Sequence, residues 1–291
     1  MATQDHIRNP LEWGWEQLRH MGHAAGSAGR AIRGAEGRGH VAPPTVRRIE
    51  AAELRDALAK GITDFAAYRT DVIFLCIVYP LAGLVLARLA FGYDMLPLIF
   101  PLASGFALIG PVAAVGLYEM SRRREQGHDI GWADAFGVTS SPAIGAMVAL
   151  GLVLLVIFLL WLLAAWIIYH FTLGPETPAS IGAFVRDTFT TGAGWTMIAV
   201  GFGVGFLFAV LVLTISVVSF PLLLDRDVGL YAAIQTSVRA VRANPGPMAM
   251  WGLIVAGGLV VGSIPLLIGL AIVIPVLGHA TWHLYRRVVP R

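Results

Sequence analysis

Long apolar stretches constrain the fold of this chain more than any other feature of its sequence. An α-helix rises 1.5 Å per residue, so about 20 apolar residues cross a hydrocarbon layer roughly 30 Å thick. The composition agrees, because 57% of the 291 residues are hydrophobic and 13% are charged, whereas soluble proteins carry about 25% charged residues. We therefore expect an all-α, polytopic protein whose solvent is the lipid bilayer.

One apolar stretch occurs twice. Residues 100–123, FPLASGFALIGPVAAVGLYEMSRR, align without a gap with residues 264–287, IPLLIGLAIVIPVLGHATWHLYRR, and eight of the 24 positions are identical. Each copy contains two prolines ten residues apart and ends in an arginine pair. The prolines are Pro101 and Pro111 in the first copy, and Pro265 and Pro275 in the second. Since proline bends a helix, the pattern indicates a bent membrane helix with an arginine anchor, used more than once.

An amphipathic pattern also recurs at one constant offset. The matching residues are Leu54, Leu58, Ile62 and Phe65 in the first copy, and Leu230, Ile234, Val238 and Val241 in the second. The spacing is helical, and in the first copy charged residues, including Lys60 and Asp64, take the other face. We predict two helices that lie along the membrane surface on their apolar stripes. Residues 127–142 look like a shorter surface piece of the same kind.

The apolar runs predict about six spans. They cover about residues 71–90, 96–118, 143–169, 195–224 and 248–285, the last being long enough for two short spans hinged near Ser263 and Pro265. One span plus a re-entrant piece is the alternative there. With their surface helices, the spans form hairpin units of about 46–124, 127–224 and 228–287 in a membrane domain of 46–289. Residues 1–45 are predicted to be a largely disordered cytoplasmic arm with one short surface helix.

The arginines set the expected orientation. Nearly all of the 21 Lys and Arg residues lie in the tails and alternate loops, whereas the remaining loops hold only Arg186. Basic loops stay on the cytoplasmic side of a membrane. We expect an inner-membrane protein with both termini in the cytoplasm, whose positive charge serves the bilayer surface and not nucleic acid.

Two histidines are the candidate metal ligands. His279 and His283 are four residues apart on the last predicted helix, so their imidazoles share a face and could hold a metal. The alternative places them with Trp282 and Tyr285 in an interfacial belt. Glu119 occupies in the first copy the position of His283 in the second, so we also hypothesise an ion pair between Glu119 and His283.

Small and hydroxyl residues within the spans predict packing and not chemistry. Gly201 and Gly205, and likewise Gly258 and Gly262, are four residues apart, a spacing that allows close helix packing. Hydroxyls at depth are expected to bond back to their own helices; they belong to Thr214, Ser216, Ser219 and Ser263. We find no phosphate loop, nucleophile elbow or cysteine-based metal site, and we expect no enzyme activity and no cofactor.

The chain resembles a bacterial integral-membrane family, domain of unknown function 2189. The matching phrases are DVIFLCIVYP (71–80), LPLIFPLASGFALIGPVAAVGLYEMSRRRE (96–125), SVVSFPLLLDRDVG (216–229), NPGPMAMWGLIVAGG (244–258) and PVLGHATWHLYRR (275–287). The family has no established activity, so the resemblance implies a membrane fold and no chemistry.

The function expected from these features is non-enzymatic. The leading hypothesis is a structural or accessory component of a larger membrane complex, or of the bilayer itself. The alternative is a transporter or channel for an apolar or lipid-like solute, with its path between the repeated hairpins. A third hypothesis is a metal or haem protein that uses His279 and His283.

Overall fold

The computed structural model describes residues 44–67, 96–128, 131–174, 176, 178–265 and 267–291. These residues form ten α-helices, two 3-10 segments and no β-strand, which confirms the all-α prediction. The α-helices are α1 (Ala51–Ala67), α2 (Ile99–Ala113), α3 (Val115–Glu125), α4 (Ile144–Thr172), α5 (Ile181–Thr190), α6 (Gly192–Ser216), α7 (Ser219–Asp225), α8 (Leu230–Ala243), α9 (Pro245–Ser263) and α10 (Leu270–Val288). The 3-10 segments are Leu96–Leu98 and Trp132–Ser140.

Four segments of the described chain are long and apolar enough to cross a membrane. They are Ile99–Glu125, Ile144–Thr172, Gly192–Asp225 and Pro245–Ser263. The protein is therefore a multi-pass membrane protein, as the apolar runs predicted. The predicted first span and all but the last two residues of the predicted arm lie outside the described residues. Since α10 is not one of the four, the six-span arrangement is not confirmed.

Hydroxyl groups within the spans are satisfied by their own helices. Thr214 Oγ1 donates to the Val210 carbonyl at 2.6 Å, and Ser216 Oγ to the Val212 carbonyl at 2.6 Å. Ser219 and Ser263 donate in the same way to the carbonyls four residues before them, at 2.6 and 2.7 Å. The prediction of local back-bonding is confirmed, because a hydroxyl in hydrocarbon has no water to bond.

The four repeated prolines do not all occupy equivalent places. Pro111 lies inside α2 and its counterpart Pro275 inside α10. Pro101 lies in the first turn of α2, whereas Pro265 lies in the turn between α9 and α10. In that turn Leu267 has a positive φ of 67°. The two copies therefore differ at their starts.

Helix α1 packs on α10 through a face that shares Leu54, Leu58 and Phe65 with the predicted apolar stripe. The buried residues of α1 are Leu54, Ala57, Gly61 and Asp64, whereas Ile62 of the predicted apolar stripe is 54% exposed. The small side chains allow the two backbones to approach each other. A Cβ atom at Gly61 would lie 2.7 Å from the Cβ of Ala280 and 2.8 Å from the Val276 carbonyl oxygen. The predicted stripe therefore differs from the packed face at Ile62, and it missed the small residues Ala57 and Gly61, which allow the close approach.

Each predicted surface segment packs against the last helix or helices of another predicted hairpin unit. Helix α1 packs against α10, the 3-10 segment Trp132–Ser140 packs against α3, and α8 packs against α6 and α7. The contact at Trp132–Ser140 is also close, since a Cβ at Gly116 would lie 3.0 Å from the Ala135 carbonyl oxygen. The core cluster of buried residues extends across all three contacts.

Asn244 holds the extended chain before α1 in place. Its side-chain Oδ1 accepts from the Ile49 backbone N–H at 2.7 Å, and its Nδ2 donates to the Arg47 carbonyl at 3.1 Å. Arg47 N–H in turn donates to the Val288 carbonyl at 2.8 Å. These bonds join the segment before α1 to the end of α8 and the end of α10, and so position α1 against α10.

Candidate functional site

The most concentrated polar site in the described residues centres on the carboxylate of Asp64. This residue is in the last turns of α1 and faces side chains from α3 and α10. Asp64 Oδ2 accepts from Ser121 Oγ at 2.7 Å and lies 2.8 Å from His283 Nε2. Arg124 Nη1 donates to Asp64 Oδ1 at 2.8 Å and to the Thr63 carbonyl at 3.0 Å. A single carboxylate thus joins three helices.

Ser121 extends the network to the second histidine. Its Oγ lies 2.8 Å from His279 Nδ1. Because an ionised Asp64 can only accept, Ser121 donates its proton to Asp64, and its oxygen accepts from a protonated Nδ1 of His279. The network fixes the tautomer of His279 by this chain of bonds.

Three members of the cluster are buried. Asp64 is 5% exposed, Ser121 is 1% exposed and His279 is fully buried. Burial alone would raise the pKa of the Asp64 carboxyl, but the hydrogen bonds from His283 and Ser121 outweigh it and hold the pKa below its usual value. Asp64 therefore stays ionised as the anion that its cationic and hydroxyl partners require.

The order of groups in the cluster does not match nucleophilic catalysis. In a serine hydrolase the histidine accepts the proton of the serine and the carboxylate orients the histidine. Here Ser121 lies between the carboxylate and His279, and its proton points to Asp64. With Ser121 also buried, the arrangement links helices and presents no activated nucleophile to a substrate.

The predicted metal ligands are both in this cluster. His279 Nδ1 faces Ser121, and His283 Nε2 faces Asp64. Among the described residues no group of three or more His, Cys, Asp or Glu side chains is arranged to hold a metal ion. Metal binding by His279 and His283 stays a prediction.

Glu119 and His283, the hypothesised ion pair, have other partners. Glu119 accepts from Arg122 Nε and from Arg123 Nε, each at 2.7 Å, on its own helix. Its side chain is 3% exposed, so these two arginines neutralise a buried carboxylate. The structure therefore pairs Glu119 with arginines of its own helix and places His283 against Asp64.

A second polar cluster joins the ends of α3, α7 and α10. Tyr285 Oη donates to Asp225 Oδ2 at 2.7 Å, and Arg286 Nη1 lies 3.2 Å from the same oxygen. Glu125 accepts from Trp282 Nε1 at 3.2 Å and from Arg286 Nε at 3.2 Å. Trp282 and Tyr285 are fully buried. The interfacial-belt prediction was wrong for these two rings, because neighbouring helices cover them.

The predicted packing glycines behave differently from one another. A Cβ at Gly205 would lie 3.1 Å from the Trp161 ring, and one at Gly262 would lie 3.0 Å from Leu270 Cδ2. Gly258 faces Val273 and Leu277 at 3.2 and 3.3 Å. No described atom outside its own helix lies within 4 Å of a Cβ at Gly201. Three of the four glycines therefore face packed side chains.

Sequence reasoning missed Asp64, Ser121 and Arg124. A signal for Asp64 was present, because three of the four buried positions of α1 and α8 correspond at the constant offset of the repeat. Ala57 corresponds to Ala233 and Gly61 to Ser237, and all four are buried. A comparison of small residues would have found this face and placed Asp64 on it.

Comparison with known proteins adds one match. The chain matches no curated protein and no solved structure. Residues 99–225, which contain three of the four candidate spans, match the model of a family described as a predicted integral membrane protein, DUF2189. This match confirms the resemblance read from the sequence, and it shows that residues 99–225 are similar to the integral-membrane family DUF2189.

Proposed function

We propose that the protein is a non-enzymatic structural or accessory component of a membrane complex. The observation that carries the proposal is that the polar side chains of the Asp64 cluster bond to one another. Asp64, Ser121, His279 and His283 bond to one another across α1, α3 and α10, and the first three are buried. Buried polar networks of this kind specify how helices assemble.

In this proposal the three hairpin units form a ring. The units are about 46–124, 127–224 and 228–287, and each surface segment packs on the returning helix of a neighbouring unit. The contacts of α8 with α6 and α7, and of Trp132–Ser140 with α3, link consecutive units. The contact of α1 with α10 links the first unit to the last and closes the ring. A closed ring presents its outer apolar faces to lipid or to partner helices.

The proposed orientation places the Asp64 cluster and both termini on the cytoplasmic side of a bacterial inner membrane. The loop between Thr172 and Gly192 contains one basic residue, Arg186, against the acidic residues Glu176 and Asp187. The ends of the spans near Glu125 and Asp225 carry many arginines. The positive-inside rule favours the arginine-rich side as the cytoplasmic one.

Purification of the tagged protein from native membranes tests the accessory function. We expect a defined set of membrane proteins to co-purify in a fixed ratio in mild detergent, quantified by mass spectrometry. Membranes that contain the untagged chain, purified in the same way, are the control. A chain that purifies alone, with a lipid-like solute bound between its helices, would contradict this function and favour the transport hypothesis.

Reporter fusions test the orientation separately. A reporter that is active only in the cytoplasm, joined after Arg291, is expected to be active, and the same reporter inserted in the loop near Arg186 is expected to be inactive. The reverse result would overturn the proposed orientation but would leave the ring of helices unaffected.

A further inference from the structure

A cavity lies at the arginine-rich end of the molecule, between α1 and α10. Its volume is about 370 Å³, which is within the range of small-ligand sites. It is lined by the charged side chains of Lys60, Glu125, Arg286, Arg287 and Arg291, and by His283. They include four permanent cations and one carboxylate, so the lining is strongly basic.

The carboxylate in the cavity is already neutralised. Glu125 accepts from Trp282 Nε1 at 3.2 Å, from Arg286 Nε at 3.2 Å and from Arg291 Nη2 at 3.0 Å. Arg287 lies 3.3 Å from Asp56, which is itself well exposed. Lys60 is exposed and makes no ion pair with any residue that the structure describes. Lys60 and Arg291, whose side chain is 73% exposed, are therefore the cations most available to an incoming anion.

The cavity lies at one end of two candidate spans. Arg286 contacts Glu125 at 3.2 Å and Asp225 at 3.2 Å, and these are the last residues of the candidate spans Ile99–Glu125 and Gly192–Asp225. Both spans end where the cavity begins. Lipid phosphate groups lie where membrane spans end. Basic pockets on the cytoplasmic side, where the proposed orientation puts this end of the molecule, bind anionic headgroups.

We propose that this cavity binds a phosphate group, and that the phosphate belongs to the headgroup of an anionic phospholipid. Lys60 and Arg291 contact the phosphate oxygens, and Arg286 and Arg287 supply positive charge from the wall of the cavity. Guanidinium groups match the geometry of phosphate oxygens, and charge-assisted hydrogen bonds to them are strong. The proposal goes beyond the accessory function and does not depend on it, because a lipid site can serve a protein with or without partners.

Binding to nanodiscs of defined composition tests the site. The full chain is reconstituted in phosphatidylcholine nanodiscs and in nanodiscs that also contain phosphatidylglycerol, and retained lipid is counted by native mass spectrometry after release. We expect retained phosphatidylglycerol for the native chain. The double variant Lys60→Gln, Arg291→Gln is expected to bind it roughly tenfold to thirtyfold more weakly, from the usual contribution of a basic residue near an anionic surface.

A matched control distinguishes the cavity from diffuse surface charge. Arg239 and Arg242 are exposed on α8, and the variant Arg239→Gln, Arg242→Gln removes the same charge from the same end of the molecule. We expect it to retain phosphatidylglycerol like the native chain. Equal losses in both double variants, or no retained phosphatidylglycerol in the native chain, would overturn the proposal. The thermal midpoint of each variant without ligand shows that it is folded.

Inorganic phosphate distinguishes the two sources of the phosphate group. It is added to the chain in phosphatidylcholine nanodiscs, and the shift of the thermal midpoint is measured. No shift is expected if the site needs the lipid headgroup. A shift that Lys60→Gln, Arg291→Gln abolishes would assign the site to free phosphate and would overturn the lipid source.

Discussion

Helices α1 and α8 have the same sequence pattern but pack against different helices. Three of the four buried positions correspond, with Ala57 matching Ala233, Gly61 matching Ser237, and Asp64 matching Ala240. In α8 the last of these positions is an alanine that is fully buried. In α1 it is a carboxylate with partners on two other helices.

The presence of a buried carboxylate in α1 and not in α8 goes with the number of residues that separate each helix from its packing partner. Helix α8 packs on α6 and α7, which precede it directly, whereas α1 packs on α10, whose His283 is 219 residues from Asp64. A local contact forms readily between small apolar faces. A contact between the two ends of the chain has many competitors, and a buried ion pair selects one register, since any other leaves a charge unpaired.

The largest expected effect is the loss of this carboxylate. Asp64→Ala would remove the carboxylate that Ser121, Arg124 and His283 share, and we expect the free energy of unfolding to fall by about 3–5 kcal/mol. Chemical denaturation in detergent micelles measures it. The control is Asp56→Ala on the same helix, where an exposed pair with Arg287 contributes about 0–1 kcal/mol. Equal losses in the two variants would remove the distinction between α1 and α8.

The close approach of α1 to α10 gives the next largest effect. Gly61→Ala would place a Cβ 2.7 Å from the Ala280 backbone nitrogen, and such overpacking costs about 1–3 kcal/mol. Gly201→Ala is the matched control, because a Cβ there meets no described atom of another helix within 4 Å. It should leave stability unchanged or raise it by up to about 1 kcal/mol. A Gly61→Ala variant as stable as the native chain in the same denaturation experiment would show that α1 and α10 can move apart to admit the methyl group.

A double-mutant cycle tests whether His283 interacts with Asp64 or with Glu119. Asp64→Asn and His283→Gln are made singly and together, and the coupling in the free energy of unfolding is expected to lie between about 0.5 and 3 kcal/mol. The cycle of Glu119→Gln with His283→Gln should couple by less than about 0.5 kcal/mol. Stronger coupling in the second cycle would restore the ion pair hypothesised from the sequence repeat.

The smallest expected effect is the dependence on pH. The folded-state pKa of Asp64 is held below its ordinary value of 3.8, so its contribution to stability is present above that pH. The contribution is lost as the pH falls below 3.8 towards the folded-state pKa. Denaturation of the native chain and of Asp64→Asn at a series of pH values should show their difference shrinking in this acidic window. A difference that stays constant there would contradict the lowered pKa.

Local patterns predicted the elements well and their partners poorly. The spans near residues 96–118, 143–169 and 195–224 follow from apolar length, which a single helix determines alone. The back-bonded hydroxyls follow from the absence of water at depth. Trp282 and Tyr285 are amphipathic rings that suit an interface equally well, and their burial depends on Glu125 and Asp225 from other helices.

The sequence alone determined that this is a helical, multi-pass membrane protein, and that two surface helices share one pattern. Hydrophobic length and periodicity are properties of one segment, so they can be read without knowledge of its neighbours. Only the tertiary structure decided that Asp64 is buried and that it joins α1 to Ser121 and His283. Those partners are 57 and 219 residues away, and such pairing depends on how all the helices pack together.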